Sequence, residues 1–324
     1  MLLVTAAAPP LVKAKGCQAV TRDKCGTHSP GKYDSHSCLK CGTQSDYDCE
    51  ECCPGCSQIV KGTFKYCQCG SAPSPPPSGG DTWANYKVAG MEIISVIGGK
   101  NQSYEKVVVM LHGGGESGSM WEYQYNQGWL GNLSGLKYVF PTTAFSSHVW
   151  YHSYKKPGCG LNNDCAYNIS SIEESASRVA ALIEHEKALV GGEGSKVFLA
   201  GFSEGAQLTG YMQLAKLSFA LGGTIIMDGF PLPPLFDMPG HDPSAAKANA
   251  TYYGSDMRWM IWHGSKDPIF PCNYTLTYWD DILGVLGASA TLKIRHTEPG
   301  MTHTLVQPEL EQMVNFVRGK VSYH

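Results

Sequence analysis

A turn motif in the second half of the chain, Gly201–Gly205 with the sequence Gly-Phe-Ser-Glu-Gly, places a serine between two glycines. It directly follows a short apolar run, 196–200, that is typical of a buried strand, and it opens a stretch with helical spacing. A sharp turn from strand to helix brings backbone segments close together, so its flanking positions must be small. Such a turn presents Ser203 beside a helix N-terminus, which favours developing negative charge. The pattern predicts that Ser203 is a nucleophile.

A serine hydroxyl is a weak nucleophile that needs a general base, and the base needs a carboxylate to orient it. Where the nucleophile stands on a turn of this kind, the chain order is serine, then acid, then histidine. Asp267 follows the apolar run 258–263, and His303 lies in a loop after the run 290–296. Both loops leave the C-terminal ends of predicted strands, which is the edge where Ser203 stands. We therefore predict that Ser203, Asp267 and His303 are catalytic.

Other acids and histidines compete for these roles. Asp228 follows another apolar run and is the alternative acid, although the Gly-Phe-Pro sequence after it is typical of a pocket loop. His263 and His296 lie at predicted strand ends, and we interpret both as structural. His148 and His152 lie among aromatic residues, and the sequence fits a contact with substrate and a position on the surface equally well for both.

A second glycine-rich segment, Leu111–Glu116, follows the predicted strand 106–111. Glycines let backbone amides approach a tetrahedral intermediate without an obstructing side chain. An oxyanion hole needs two N–H donors, and we predict that they belong to Gly114 and to Glu204, the residue after the nucleophile. A nucleotide-binding loop would need Gly-Lys-Ser/Thr, but this sequence has Gly-Glu-Ser, which disfavours nucleotide binding.

Short apolar runs alternate with helical patterns from about residue 90 to residue 320, and this alternation predicts an α/β fold with a mostly parallel sheet between helices. The predicted strands are Glu92–Ile97, Lys106–Leu111, Lys137–Phe140, Lys196–Ala200, Gly223–Met227, Arg258–His263 and Ala290–His296. Helices are predicted over 203–220, 273–286 and 306–319. Another begins at Ser170 and Ser171, where Glu173 and Glu174 supply a capping box.

Four segments taken together resemble a known family. They are His112–Gly118 with Trp121, Gly201–Ala206, His263–Pro268 and Gly300–His303, in this order along the chain. The sequence resembles the acyl-protein thioesterase/carboxylesterase branch of the α/β-hydrolases. The resemblance implies an α/β-hydrolase fold, Ser203 as nucleophile, His303 as base, Asp267 as orienting acid, and the amides of Gly114 and Glu204 as oxyanion hole.

The sequence also departs from that family. Where the family usually has Leu, Asp and Gln, this chain has Gly114, Glu116 and Glu204. Residues 142–166 match the family poorly, and we expect them to shape the substrate pocket together with 229–236. The predicted substrate contacts are Trp121, Trp150, Phe230 and Leu232.

Cysteines and glycosylation motifs predict the compartment. Ten of the 13 cysteines lie within 17–69, a density that indicates disulfides in an oxidising compartment or bound metal in a reducing one. Three Cys-x-x-Cys pairs there have zinc spacing. Five of the ten asparagines lie in Asn-x-Ser/Thr motifs, namely Asn101, Asn132, Asn168, Asn249 and Asn273. We therefore predict disulfides, glycosylation and a secreted or endomembrane-lumen location. Cys159 and Cys165 are predicted to pair, and the state of Cys272 is open.

Composition divides the 324 residues into four segments. Residues 1–16 are interpreted as a signal remnant or a disordered N-terminus, 17–69 as a small cysteine-rich module, 70–82 as a Pro/Ser/Gly linker, and 83–324 as the catalytic domain. With 25 basic and 28 acidic residues, the chain has no excess charge for binding nucleic acid. No apolar run approaches the ~20 residues of a membrane span.

The sequence as a whole predicts a secreted serine carboxylesterase or thioesterase that acts on small-molecule or lipid-like acyl esters, without metal or cofactor. The cysteine-rich module would bind a surface, glycan or polymer and raise the local substrate concentration. One alternative is a polymer- or cell-wall-directed esterase acting on feruloyl or acetyl esters. The other is a binding protein without catalytic activity.

Overall fold

A computed structural model of the chain describes part of its length. The described residues are 38–41, 49–52, 56–61, 64–69, 81–98, 104–131, 135–153, 167–232, 235, 257–285 and 293–320. They belong to two compact units, Met1–Pro77 and Ser78–His324. In the described residues, no helix is long and apolar enough to cross a membrane.

Two antiparallel strand pairs lie in the first unit. Strand β1 (Cys38–Cys41) pairs with β2 (Cys49–Cys52), and β3 (Cys56–Lys61) pairs with β4 (Phe64–Cys69). The register sets Cys38 opposite Cys52 and Cys56 opposite Cys69. The cysteine side chains of this unit, and Cys159 and Cys165, lie outside the described residues, so their pairing stays a prediction.

An eight-stranded sheet is the centre of the second unit. Its strands are β5 (Thr82–Val88), β6 (Met91–Ile97), β7 (Tyr104–Leu111), β8 (Gly135–Thr142), β9 (Val197–Phe202), β10 (Gly223–Met227), β11 (Trp259–Gly264) and β12 (Lys293–Glu298). Their order is β12-β11-β10-β9-β7-β8-β6-β5. The predicted strands are all present, Gly223–Met227 with the predicted ends and the others with one or both ends shifted. Strand β5 was not predicted, because none of its residues is fully buried and its apolar pattern is weak.

Strand directions explain where a site can form. The strands from β8 to β12 in the sheet order are parallel, and only β6 and β5 add antiparallel pairings. The chain order reverses at β7, which lies between β8 and β9. Such a reversal opens a crevice at the carboxyl ends of the strands, where loops on either side diverge. The expected mostly parallel sheet is confirmed.

Helices cover both faces of this sheet. They are α1 (Ser119–Asn126), α2 (Ile169–Leu189), α3 (Glu204–Tyr211), α4 (Cys272–Val285) and α5 (Gln307–Val317). Buried residues of α2, α3 and α4 pack in one apolar cluster, and buried residues of α1 and α5 pack in the other. The parallel strands are therefore covered on both faces, which explains their nearly continuous apolar sequences.

Two helix ends differ from the sequence prediction. The predicted start of α2 at Ser170 is wrong, because Asn168 caps the helix and its side chain accepts a hydrogen bond from the Ser171 N–H. The predicted helix 203–220 is α-helical only to Tyr211 and ends in a π-helical turn at Lys216. The Gln213 side chain accepts from the Leu221 N–H and donates to the Phe219 carbonyl, so the following loop is bound back against the turn.

Candidate active site

The turn between β9 and α3 is built on close backbone contacts. Ser203 has φ of 55° and ψ of −119°, a left-handed conformation that costs free energy in a residue with a side chain. A Cβ atom on Gly201 would lie 2.3 Å from the carbonyl of Gly205, and one on Gly205 would lie 2.5 Å from the carbonyl oxygen of His112. Both flanking positions therefore exclude a side chain, as the motif predicts, and the surrounding structure fixes the strained serine.

The three predicted catalytic side chains form one hydrogen-bonded series. The Nε2 atom of His303 lies 2.8 Å from the Oγ atom of Ser203, and its Nδ1 atom lies 2.8 Å from the Oδ2 atom of Asp267. These side chains come from the loops after β12, β9 and β11, which end at the same edge of the sheet. The arrangement lets His303 accept the serine proton while the carboxylate holds the ring.

Asp267 is buried, and its surroundings favour the charged carboxylate. Burial acts to raise its pKa, but the hydrogen bond from His303 and the N–H groups of Phe270 and Ile269 outweigh burial and lower it. The carboxylate is thus the acceptor that keeps a proton on Nδ1 of His303. The Nε2 atom then faces Ser203 without a proton, as a base requires.

The loops that carry the acid and the base are hydrogen-bonded to each other. The N–H of Ser265 donates to the Glu298 carbonyl, and the N–H of Lys266 donates to the Met301 carbonyl. A Cβ atom on Gly264 would lie 2.5 Å from that Met301 oxygen, so glycine is needed where the loops cross. These contacts fix the distance between Asp267 and His303 independently of the side chains.

The two residues that are predicted to supply the oxyanion donors contact each other through the Glu204 side chain. Glu204 is the first residue of α3, so its N–H has no acceptor within the helix. A Cβ atom on Gly114 would lie 2.6 Å from the carboxyl carbon of Glu204. The glycine loop is held in place because the Gly113 N–H donates to the Glu116 carboxylate and the Gly115 N–H donates to the His148 carbonyl. Gly114 and Glu204 are thus neighbours, and the role of their N–H groups as oxyanion donors stays a prediction.

His112, for which the sequence predicted no role of its own, also holds this loop. Its ring is fully buried, and burial lowers its pKa to about 4, so the ring is neutral. The Nδ1 atom donates to the Gly113 carbonyl, and the Nε2 atom accepts from the Thr143 N–H. The only sequence signal was its position at the end of an apolar strand before three glycines.

The Glu204 side chain is a partly buried acid next to the predicted nucleophile. Its carboxylate accepts one hydrogen bond, from the Trp150 N–H at 3.2 Å. Burial raises its pKa to about 7 from an ordinary value of 4.5, although the Trp150 hydrogen bond acts in the opposite direction. The protonated acid therefore stabilises the fold fully below pH 4.5, and this contribution is lost as the pH rises towards 7.

We expect Glu204→Gln to match the wild type in stability at pH 4 and to exceed it at pH 8. Glutamine keeps an acceptor for the Trp150 N–H but never ionises, so the melting temperature at pH 8 should rise by about 5 °C. Thermal unfolding at both pH values measures this difference. The control is Glu105→Gln, at an exposed position, which should give equal shifts at both. A pH-independent difference for Glu204→Gln would contradict the expectation.

The four predicted substrate contacts are fully buried in the described structure. Trp150 is next to the site, because its N–H binds Glu204 and its Nε1–H donates to the His112 carbonyl at 2.7 Å. Phe230 stacks against Tyr274 with ring centres 5.5 Å apart. Trp121 packs in the core cluster with α1 and α5, and Leu232 packs in the cluster on the other face of the sheet. Their contact with substrate stays a prediction.

The competing side chains fall into two groups. His263 is buried, and its Nε2 atom lies 2.7 Å from the Phe270 carbonyl oxygen, while His296 pairs with Glu298. His148 and His152 are exposed near the loop after β8. Asp228 is fully buried at the end of β10. One of its carboxylate oxygens lies within 4.8 Å of a carboxylate oxygen of Asp267 and of a ring nitrogen of His303.

Known proteins resemble this chain in sequence. The sequence profile of the family described as Phospholipase/Carboxylesterase matches residues 92–320. A relative, acyl-protein thioesterase 1 from Debaryomyces hansenii, is 25% identical over 226 residues, which cover 66% of this chain and 90% of that protein. Acyl-protein thioesterase 1 homolog 1 from Dictyostelium discoideum is 21% identical, over 66% of this chain and 90% of that protein.

Solved structures share the fold of the second unit. The structure of SOBER1 from Arabidopsis thaliana superimposes with a TM-score of 0.51 at 21% identity, over 67% of this chain and 99% of that one. A carboxylesterase from Mesorhizobium loti gives a TM-score of 0.52 at 14% identity, over 73% of this chain and 99% of that one. At these identities the likeness establishes the α/β-hydrolase fold.

Proposed function

The chain belongs to the phospholipase/carboxylesterase family and is a serine hydrolase of ester or thioester bonds, and on this premise we propose that it works through a Ser-His-Asp acyl-enzyme mechanism. The observation that carries the proposal is the hydrogen-bonded series from Ser203 through His303 to Asp267, with both contacts at 2.8 Å. The side-chain orientations match the roles of nucleophile, base and orienting acid without rearrangement.

The mechanism has two halves. In the first, the Ser203 Oγ attacks the acyl carbonyl while its proton passes to Nε2 of His303, and Asp267 stabilises the imidazolium. The N–H groups of Gly114 and Glu204 stabilise the oxyanion, and the tetrahedral intermediate expels the alcohol or thiol, which takes the proton from His303. In the second half, water attacks the acyl-serine with the same base and releases the carboxylic acid.

Hydrolysis of a p-nitrophenyl ester series from acetate to palmitate tests this function. We expect turnover together with labelling by a fluorophosphonate, because both depend on an activated serine. The chain length with the highest kcat/KM separates small acyl groups from lipid-like ones, and a matched thioester series measures the preference for the leaving group. A folded chain that neither turns over any ester nor reacts with the probe would refute the proposal and favour a binding role.

We also propose that the substrate is a small-molecule or lipid-like acyl ester or thioester. The curated relatives are named as acyl-protein thioesterases, and the solved relative from Mesorhizobium loti is named as a carboxylesterase. In this chain Ile269 and Tyr274 expose apolar surface beside Phe270, whose ring centre lies 5.5 Å from that of His303. An apolar acyl chain or leaving group fits this surface.

A secreted or endomembrane-lumen location is proposed from the glycosylation motifs. Two of these motifs lie in the described residues. Asn273 is exposed near the start of α4, and Asn168 is partly exposed at the N-terminus of α2. We expect a peptide N-glycosidase to increase the electrophoretic mobility of the chain expressed in a eukaryotic secretory host. Unchanged mobility would contradict glycosylation.

A further inference from the structure

Asp228 is a buried carboxyl group that the mechanism above does not use. It lies at the C-terminal end of β10, between the turn of Ser203 after β9 and the loop of Asp267 after β11. Its φ is 49°, a left-handed value that a non-glycine residue rarely adopts, and its side chain has no exposed surface. Strain and burial of a polar side chain in one residue both cost free energy, and such costs concentrate at functional sites.

The carboxyl group of Asp228 lies close to the catalytic acid and base. One oxygen of Asp228, one of Asp267 and one ring nitrogen of His303 all lie within 4.8 Å of one another. The Oδ1 atom of Asp228 accepts the Gly264 N–H at 2.8 Å. Its Oδ2 atom is buried, and within the described part of the chain no hydrogen bond of normal geometry reaches it. The backbone N–H of Thr304 acts to lower the pKa of the carboxyl group.

The charge of Asp228 depends on Asp267. The pKa of Asp228 is raised to about 7, chiefly by burial and in addition by the negative charge of Asp267, while the Gly264 N–H and His303 act to lower it. A second buried carboxyl, Glu309, has its pKa raised well above its ordinary value by burial and by the charge of Asp228. Removal of the charge on Asp267 therefore favours ionisation of Asp228, because the like-charge repulsion disappears.

We propose that Asp228 is a positioning residue of the proposed reaction, a second carboxylate that orients His303 and accepts its Nδ1–H when Asp267 does not. The inference rests on the proposed function. Asp228 is placed for this role because its strand is the neighbour of the strand that carries Asp267, and both carboxyl groups lie near the His303 ring. The proton on Nδ1 stays on His303 throughout, so the carboxylate acts by orientation and charge alone.

The test compares four full-length chains: wild type, Asp267→Asn, Asp228→Asn and the double variant. Asp267→Asn removes the charged oxygen that accepts the Nδ1–H of His303. In a triad with one acid, this loss costs about 10⁴ in kcat. We expect a loss of only about 10² here, since Asp228 takes over. Asp228→Asn should cost about fivefold or less in the wild type and a further thirtyfold or more in the Asp267→Asn background. These losses should fall on kcat, with KM within about twofold.

A merely structural role for Asp228 predicts a different result. Asparagine keeps the Oδ1 acceptor for the Gly264 N–H, so loss of packing or of that hydrogen bond would cost the same factor in both backgrounds. Equal factors, or a loss of about 10⁴ in Asp267→Asn alone, would overturn the inference. If Asp228→Asn lowers the melting temperature sharply, Asp228→Ser supplies the second variant, and the same comparison of backgrounds applies.

The outcome for the wild type separates this inference from the proposed function. A wild-type chain that neither hydrolyses esters nor reacts with a fluorophosphonate refutes the serine hydrolase mechanism, and the inference with it. An active wild type with equal factors in the two backgrounds refutes only the role of Asp228.

Discussion

Replacement of Ser203 by alanine is expected to lower kcat on p-nitrophenyl butyrate by about 10⁶. The Oγ atom of Ser203 is the atom that bonds to the acyl carbon, and at 2.8 Å from Nε2 of His303 it is the only described hydroxyl in contact with that base. Water activated by His303 and the oxyanion donors would leave only a residual rate. The acyl-enzyme burst and the fluorophosphonate adduct should disappear together.

The matched control for this variant is Ser177→Ala, on the exposed face of α2, where the hydroxyl donates to the Glu173 carbonyl. It should keep wild-type kcat and labelling. The melting temperature of Ser203→Ala should stay within about 2 °C of the wild type, because the change removes only the Oγ atom and its hydrogen bond with His303. Activity above about 1% in Ser203→Ala would show that another group is the nucleophile.

Gly201→Ala is expected to destabilise the fold by about 3 kcal/mol or more, or roughly 10 °C in melting temperature. The added Cβ would lie 2.3 Å from the carbonyl carbon and oxygen of Gly205 and 2.6 Å from the Ala206 nitrogen. These are backbone atoms at the start of α3, so no side-chain rotation relieves the overlap. The turn must open, and Ser203 moves away from His303.

Thermal unfolding and the urea midpoint measure the loss of stability in Gly201→Ala. Gly284→Ala is the control, because a Cβ at this exposed helical position meets no atom within 4 Å. Alanine is the better helix former, so this variant should gain up to about 1 kcal/mol. A melting temperature for Gly201→Ala within about 2 °C of the wild type would show that the turn tolerates a side chain.

The close backbone contact between Gly201 and Gly205 was predictable from the sequence, whereas the start of α2 and the presence of strand β5 were not. The motif around Ser203 specifies a local turn, and local turns depend on residues a few positions apart. The predicted start of α2 was wrong because Asn168 and Ser170 are both favoured N-cap residues. The sequence alone does not show which of the two side chains accepts a hydrogen bond from the first turn of the helix. Strand β5 was missed because pairing with β6, rather than its own apolar pattern, stabilises it.

The role of a buried carboxyl depends on distances that sequence does not contain. Asp228 and Asp267 each follow an apolar strand, and the chain order favoured Asp267. In the structure Asp267 accepts the hydrogen bond from His303, and Asp228 lies within 4.8 Å of both. Glu204 follows Ser203 in the sequence, but the rise in its pKa comes from burial beside Trp150, a residue 54 positions away.

The sequence by itself determined the alternation of strands and helices, the family, and the types and order of Ser203, Asp267 and His303. It could do so because apolar periodicity and glycine turns are local, and because parallel strands bring the loops at their carboxyl ends to one edge. Only the tertiary structure decided the 2.8 Å contacts, the second carboxylate at His303 and the burial of Glu204. These depend on packing between segments far apart in the chain, where a shift of about 1 Å changes hydrogen bonding and charge.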